Sequence, residues 1–290
     1  MRKGSSRNSN SKKKSPRGPS STSGFSRKNL TPSTRKAQPS REPSNNDLLR
    51  GHRLVVGIHS VKEVFKVRPN SIKEFWVRPS AGQAGVTSFQ EQAESLHIPV
   101  RLQKEEFFNR FTSGHQGVGV LVNDRPEVSW GQLEKDSSAV VLVLDELEDP
   151  HNLGAILRTA WLMDVKAVFC SADRAVGLTP TVCKVASGGA EHVPVQFDSS
   201  LGEIVQKLKS MDFWCFGLAG ESSKSLYDLK LDSKVAWILG AEDKGLRKPV
   251  ARACDELIKI PQLSADASYN VSVATAFALG ETHRQKNRHL

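Results

Sequence analysis

The chain is 290 residues long, room for two ordinary domains, and its formal charge of +10 suggests a polyanionic partner. That charge is concentrated: residues 1–41 carry twelve Lys or Arg and no acid, leaving 29 basic against 31 acidic residues after Arg41. Apolar runs all fall short of the ~18 residues of a membrane span, and the N-terminus has no apolar secretory signal, so a soluble cytoplasmic protein is expected, with no membrane partner. Cys170, Cys183, Cys215 and Cys254 stand singly, without a CxxC pair or a His cluster at metal spacing, which predicts reduced thiols and no metal.

In chain order, residues 1–46 are rich in Ser, Lys, Arg and Pro and too poor in apolar surface to offset the entropy of ordering, so a disordered basic tail is expected there. Such a tail attracts phosphate; a Ser/Arg-rich, acid-free start also suits an organellar transit peptide. Residues 48–124 alternate strand and helix patterns, from LVVGIHSVKEVF to GVGVLVN, and predict a small three-layer α/β domain. Two places in it are candidates for contact with RNA: Gly57-Ile58-His59 at a strand-to-helix turn, and Gly114-His115-Gln116-Gly117 before the last strand. Glycines that merely form turns account for both equally well.

Residues 125–138 read as a polar connector. From Ala139 the run AVVLVL is apolar on both faces, as in a central strand of a parallel sheet. Strands at 167–170, 193–197, 213–218, 235–239 and 257–260 alternate with helices at about 152–163, 179–188, 201–210, 246–253 and 270–285. Residues 139–290 thus predict a doubly wound, mainly parallel α/β domain that binds ligands beyond its strand ends.

Three motifs carry chemistry. In DPHNLGAILR, Asn152 sits where a helix cap belongs, and Arg158 has only Gly154, Ala155, Trp161 and Leu162 as helical neighbours, so it needs a distant acid or an anionic ligand. WILGAEDKGL ends a strand in a glycine-flanked turn carrying Glu242, a candidate partner for Arg158; a solvated turn acid is the alternative. LIKIPQLSADASYNVSVATAFALGE, residues 257–281, runs from a short strand through a thin loop that includes Ala265 into a helix apolar on nearly every face, which predicts its burial.

Together DPHNLGAILRTA, LGAEDKGL and IPQLSADASYNVSVA resemble the SpoU-type ribose 2′-O-methyltransferases of the SPOUT class. GIHSV and GHQGVGV make the preceding unit similar to the substrate-binding domain of the subset that methylates guanosine in large-subunit (23S) ribosomal RNA. The resemblance implies a deep trefoil knot in the C-terminal SPOUT domain, against the rule that chains stay unknotted. It implies S-adenosylmethionine held near Ala219, Gly240, Ile260, Leu263 and Tyr269, and polar site residues Asn152, Arg158, Glu242, Ser268 and Asn270. It also implies a homodimer packed through the first and last helices of the domain, with Asn152 near the other subunit's site.

Gln262, Ser264 and Tyr269 depart from the family's usual residues in the cofactor loop. Two other readings stay open: a transfer RNA 2′-O-methyltransferase of the same fold, and a non-catalytic RNA-binding ribosome-assembly protein. On the enzymatic reading Arg158 binds a phosphate and stabilises the developing alkoxide, Glu242 orients Arg158 or the substrate, and Ser268 and Asn270 fix loop and nucleotide.

Overall fold

In a computed structural model of the chain, residues 49, 51–79, 84–123, 125–264 and 267–286 are described below. The basic tail at 1–46 and Ala265 in the thin loop lie outside them.

The first domain is a four-stranded sheet in the order β1-β4-β2-β3, built from β1 (Arg53–Val56), β2 (Ile72–Val77), β3 (Val100–Leu102) and β4 (Val118–Val122). β4 runs antiparallel to β1 and β2, whereas β2 and β3 are parallel. Alternate residues divide the faces, as the two-residue strand period requires. Val55, Phe75 and Val77 pack with α1 (Ile58–Val67) and α2 (Ala84–Ser95) on one side. Leu54, Val56 and Trp76 pack with Phe108 of α3 (Glu105–Asn109) on the other, completing the three layers.

The connector is not structureless. Residues 130–135 form α4 (Trp130–Lys135), whose Leu133 is buried and whose Trp130 stacks on Phe169 at 4.9 Å under the Lys207 ammonium. Reading 125–138 as merely polar overlooked that two apolar side chains suffice to dock one helical turn and a half.

The second domain is a six-stranded, wholly parallel sheet: β5 (Ala139–Leu144), β6 (Ala167–Ser171), β7 (Val195–Asp198), β8 (Trp214–Leu218), β9 (Lys234–Leu239) and β10 (Glu256–Ile258), in the order β10-β8-β9-β5-β6-β7. Val140, Leu142, Leu144 and Trp237 face α5 (Pro150–Leu162), α6 (Pro180–Ala186) and α10 (Val271–Lys286); Val141, Val143 and Ile238 face α8 (Leu201–Lys209) and α9 (Lys248–Ala253). Both faces are covered, which is why β5 and β9 are buried at every position. Trp237 is fully buried and still satisfies its indole N–H, which donates to Thr282 Oγ1 at 2.9 Å.

Two expectations change. The helix expected at 179–188 breaks into α6 and the single turn α7 (Gly189–His192), because Ser187 and Gly188 take left-handed backbone at φ 50° and 106°. The last helix is not buried all round: Val271, Thr275, Ala278 and Leu279 are enclosed, but Val273 and Phe277 remain 44% and 38% exposed. An all-apolar helix with one open side leaves a surface with unmet hydrophobic contact.

The two domains are locked together. Glu191 of α7, 1% exposed, receives both guanidinium nitrogens of Arg53 at 2.6 and 2.8 Å and Arg68 at 2.9 Å. Beside it, His192 lies 2.8 Å from Glu63 and stacks on Trp161 at 4.2 Å, and Lys184 donates to the Ser113 carbonyl.

Candidate active site

Strand order reverses between β9 and β5, the place where parallel sheets bind ligands beyond their C-terminal edge. A cavity of about 440 Å³, within the range of small-molecule sites, lies to one side of that point, beyond the C-terminal ends of β10, β8 and β9. Its wall comes from the loops after β8 (218–221), β9 (239–246) and β10 (258–274), so Ala219, Gly240, Glu242, Ile260, Ser268 and Tyr269 all line it.

The loop after β9 doubles back tightly. Gly245 N donates to the Ala241 carbonyl, and a Cβ on Gly240 would fall 2.1 Å from the Gly245 carbonyl carbon, so only glycine permits this closure. Arg247 anchors its far end, donating from its backbone N–H and Nε to the buried Asp145 carboxylate at 3.0 and 2.8 Å. That hydrogen bond, with the charge of Asp145, raises the Arg247 guanidinium above its ordinary value although partial burial opposes it. Asp145 was not foreseen; the signal was an acid directly following a buried strand.

The chain after β10 is stitched to the loop after β8. Ala219 N donates to the Ile258 carbonyl, Leu226 N to Lys259, Lys259 N to Lys224, and Ser222 Oγ to Leu257. These bonds satisfy backbone groups that would otherwise be stranded beside the cavity. Gln262 Nε2 donates to the Ser264 and Ala267 carbonyls at 2.8 and 2.6 Å, and Tyr269 OH donates to the Pro261 carbonyl at 3.2 Å. Two of the residues that depart from the family pattern therefore hold the loop's shape. Leu263 is fully exposed and outside the cavity lining, a correction to its expected cofactor contact: Gln262 turns inward and its neighbour outward.

At the mouth, three polar side chains converge. Glu242 Oε1 accepts from Asn152 Nδ2 at 2.5 Å and from Asn270 Nδ2 at 2.8 Å, and Asn270 also donates to Asn152 Oδ1 at 3.0 Å. Asn270 Oδ1 in turn accepts from Ser272 N and Oγ, opening α10. Asn152 is buried in this cluster and is not the cap of α5; Asp149 is, accepting from His151 N at 2.8 Å. The cluster belongs to one chain, so Asn152 lies beside its own cavity.

Arg158 is exposed on α5, outside the cavity lining, and among the described residues no bond joins it to Glu242. The expected Arg158–Glu242 pair is replaced by the two amides, which reach the carboxylate from the first turn of α5 and the start of α10. In the first domain, His115 is 3% exposed, stacked on Phe108, and accepts from Gly117 N at 3.0 Å. It is loop scaffold, not a surface contact. Gln116 is exposed and its Oε1 accepts from Ile58 N at 2.9 Å, next to the exposed His59. The two glycine motifs thus meet at the start of α1. Among the described residues no group of His, Cys, Asp or Glu could hold a metal, and no helix is long and apolar enough to cross a membrane.

A doubly wound, wholly parallel α/β fold, with a ligand cavity walled by the loops after β8, β9 and β10, is what these features define. The SpoU methyltransferase AviRb from Streptomyces viridochromogenes, solved with AdoMet, shares the fold at a TM-score of 0.72 and 16% identity, over 85% of this chain and 95% of that one. Residues 139–280 match the SpoU rRNA Methylase family, and residues 54–127 match the RNA 2′-O ribose methyltransferase substrate-binding family. The 23S rRNA (guanosine-2′-O-)-methyltransferase RlmB of Bordetella pertussis is 37% identical over 241 residues, covering 80% of this chain and 97% of that protein. Its counterpart in Pseudomonas aeruginosa is 36% identical over 240 residues, 80% of this chain and 96% of that protein. The chain belongs to the SpoU rRNA methylase family, whose members are S-adenosylmethionine-dependent RNA methyltransferases.

Proposed function

We propose that this protein methylates the ribose 2′-oxygen of a guanosine in 23S ribosomal RNA, and that its active site is completed across a homodimer. The cavity supports the cofactor assignment: the loop that Gly240 allows to close tightly forms one wall, and the walls present backbone groups of three loops to a small ligand. Bound there, S-adenosylmethionine supplies an activated methyl group, so the chain's own residues need only place the hydroxyl and ease its proton's departure.

Glu242 accepts two amide bonds and keeps a further oxygen lone-pair capacity for a ribose hydroxyl, while Asn152 and Asn270 fix its carboxylate plane. Ser268, exposed on the cavity rim, offers a hydroxyl to the nucleotide. Arg158 carries the alkoxide-stabilising charge.

The observation that favours a dimer is the company Arg158 keeps. Four residues on, on the same helix face, Leu162 is 70% exposed, and α10, which packs on α5, exposes Val273 and Phe277, with the Tyr269 ring 5.2 Å from Phe277. An apolar face around an exposed guanidinium fits a second copy of this chain, with Arg158 reaching the partner's cavity. Mixing Arg158→Ala with Gly240→Ala, each inactive alone, then restores about a quarter of the parental methyl transfer at equal amounts, because half the dimers are mixed and each holds one intact site. No rescue on mixing, in dimers shown to exchange subunits, refutes completion across the interface. Loss of S-adenosylmethionine binding in Arg158→Ala refutes its assignment to the transfer step.

A further inference from the structure

A second, larger cavity of about 930 Å³ opens between the two domains, and nothing in the reaction chemistry uses it. We infer that it is a preformed groove for a single-stranded stretch of RNA flanking the target nucleotide, an inference that rests on the RNA-methylating function proposed above.

The groove has three walls: residues 49–54 and 110–111 of the first domain, residues 123–127 of the connector, and residues 176–181 ahead of α6. Its width is fixed before any ligand arrives. Arg53 forms part of the wall and is also clamped by Glu191, so the joint that locks the domains is the back of the groove. Thr181 Oγ1 donates to Thr112 Oγ1 at 3.2 Å, tying the two rims just beyond it.

The lining matches one polymer better than others. Among the described residues that line it, Arg110 and Arg125 are exposed and Glu127 is the one carboxylate, a balance that attracts phosphate. Arg125 lies over the Phe197 ring at 5.3 Å, which holds the guanidinium flat and leaves its other face for a base. Phe111 contributes an aromatic surface, and Asn123 and Thr181 supply hydrogen-bonding groups that read no particular base edge. Cations, stacking surfaces and neutral polar groups in a confined trough suit unpaired nucleotides; an RNA duplex presents its bases already stacked and paired.

The trough also leads to the right place. Pro150, the first residue of α5, stands in its wall, and Val176 at its floor donates to the Leu147 carbonyl. Leu147 belongs to a smaller cleft shared by Asn152 and Glu242. The groove thus ends beside the cleft that holds the amide-carboxylate cluster, whose further acids Glu146, Glu148, Asp149 and Asp243 leave the flanking phosphates on the groove side.

The test uses the full chain and a fluorescein-labelled single-stranded RNA of mixed sequence, titrated by anisotropy between about 50 and about 200 mM salt. Arg125→Ala and Arg110→Ala are each expected to weaken binding and flatten the logarithmic salt slope by about 0.7, while S-adenosylmethionine binding by calorimetry stays parental. The same RNA annealed to its complement should bind the parent more weakly and respond less to either change. Two variants with parental slopes, or 4-thiouridine crosslinks that fall outside residues 49–54, 110–127 and 176–181, overturn the groove. Equal losses for duplex and single strand overturn its preference for unpaired RNA, and displacement of the RNA by an arginine-poor acidic peptide at equal affinity overturns the choice of polymer. If the parent binds RNA through the groove but methylates no ribosomal RNA, the proposed reaction fails and the groove stands.

Discussion

Replacing Glu191 by Gln removes a buried carboxylate shared by two guanidinium groups at the domain joint. Glu191 is 1% exposed, and the Arg53 and Arg68 side chains keep only 12% and 16% of their accessible surface, so the variant takes a buried carboxylate away from two largely buried charges. Breaking a buried pair in this way costs about 3–5 kcal/mol. The residual exposure of the arginines, and the contact of Arg53 Nη1 with Cys183 Sγ at 3.3 Å, place the loss near about 3 kcal/mol, the lower end of that range. For a protein of this size that is a fall of about 6–12 °C in melting temperature. Scanning calorimetry measures it directly, and Trp76, in the first domain, reports by fluorescence whether that domain parts company first. Adding Arg68→Gln to the variant should cost less than the sum of the two single changes, because the two side chains share one contact. A variant melting within about 2 °C of the parent, with both domains still unfolding together, would show that the joint does not depend on this carboxylate.

Further outcomes follow from individual contacts. Gly240→Ala sets a Cβ against the Gly245 backbone and should weaken S-adenosylmethionine binding at least about tenfold by calorimetry. Glu242→Ala strands the buried Asn152 amide, lowering stability by about 1–3 kcal/mol in urea titrations and abolishing methyl transfer. Burial lowers the His115 imidazole below the ordinary histidine value of about 6.5, only partly offset by Glu105, so its neutral form is the one the fold prefers. The stability this contributes is complete above pH 6.5 and is lost as pH falls from there through the lower folded value. Hydrogen exchange at Gly117, whose N–H the ring accepts, should quicken on that descent, and His115→Gln should remove the pH dependence. Burial pushes the Cys170 and Cys215 thiols up to about 12, so neither should be alkylated in the folded protein at about pH 8.

The strands were legible because both faces of the second sheet are covered: AVVLVL and KVAWIL read as continuous apolar runs, and both are central strands. Boundaries moved where local backbone overruled the pattern, as at Ser187 and Gly188. The motifs around Asn152, Glu242 and Asn270 were visible as motifs, yet their mutual bonding was not, since it joins residues up to 118 positions apart. Pattern reading paired Glu242 with Arg158 because charge complementarity is the only long-range rule a sequence offers; two uncharged amides won by proximity. The domain joint escaped for a related reason. Arg53, Arg68 and Glu191 are each ordinary polar residues until folding encloses them together.

The cavity proposed for the methyl donor is assembled from the loops after β8, β9 and β10, all of them made later than the four-stranded domain. The four-stranded domain, by contrast, is finished before the second sheet begins, and domains fold as units in the order of synthesis. A nascent copy is therefore equipped to hold RNA well before it can alter any. Catalytic competence arrives only when β10 has been seated against β8 and α10 laid over α5, a step of long sequence separation that makes maturation slow relative to helix formation. A chain that ends between the Glu191 joint and Asn270 keeps the residues of the proposed groove and lacks the Asn270 contact to Glu242, so it should compete for substrate without turning it over.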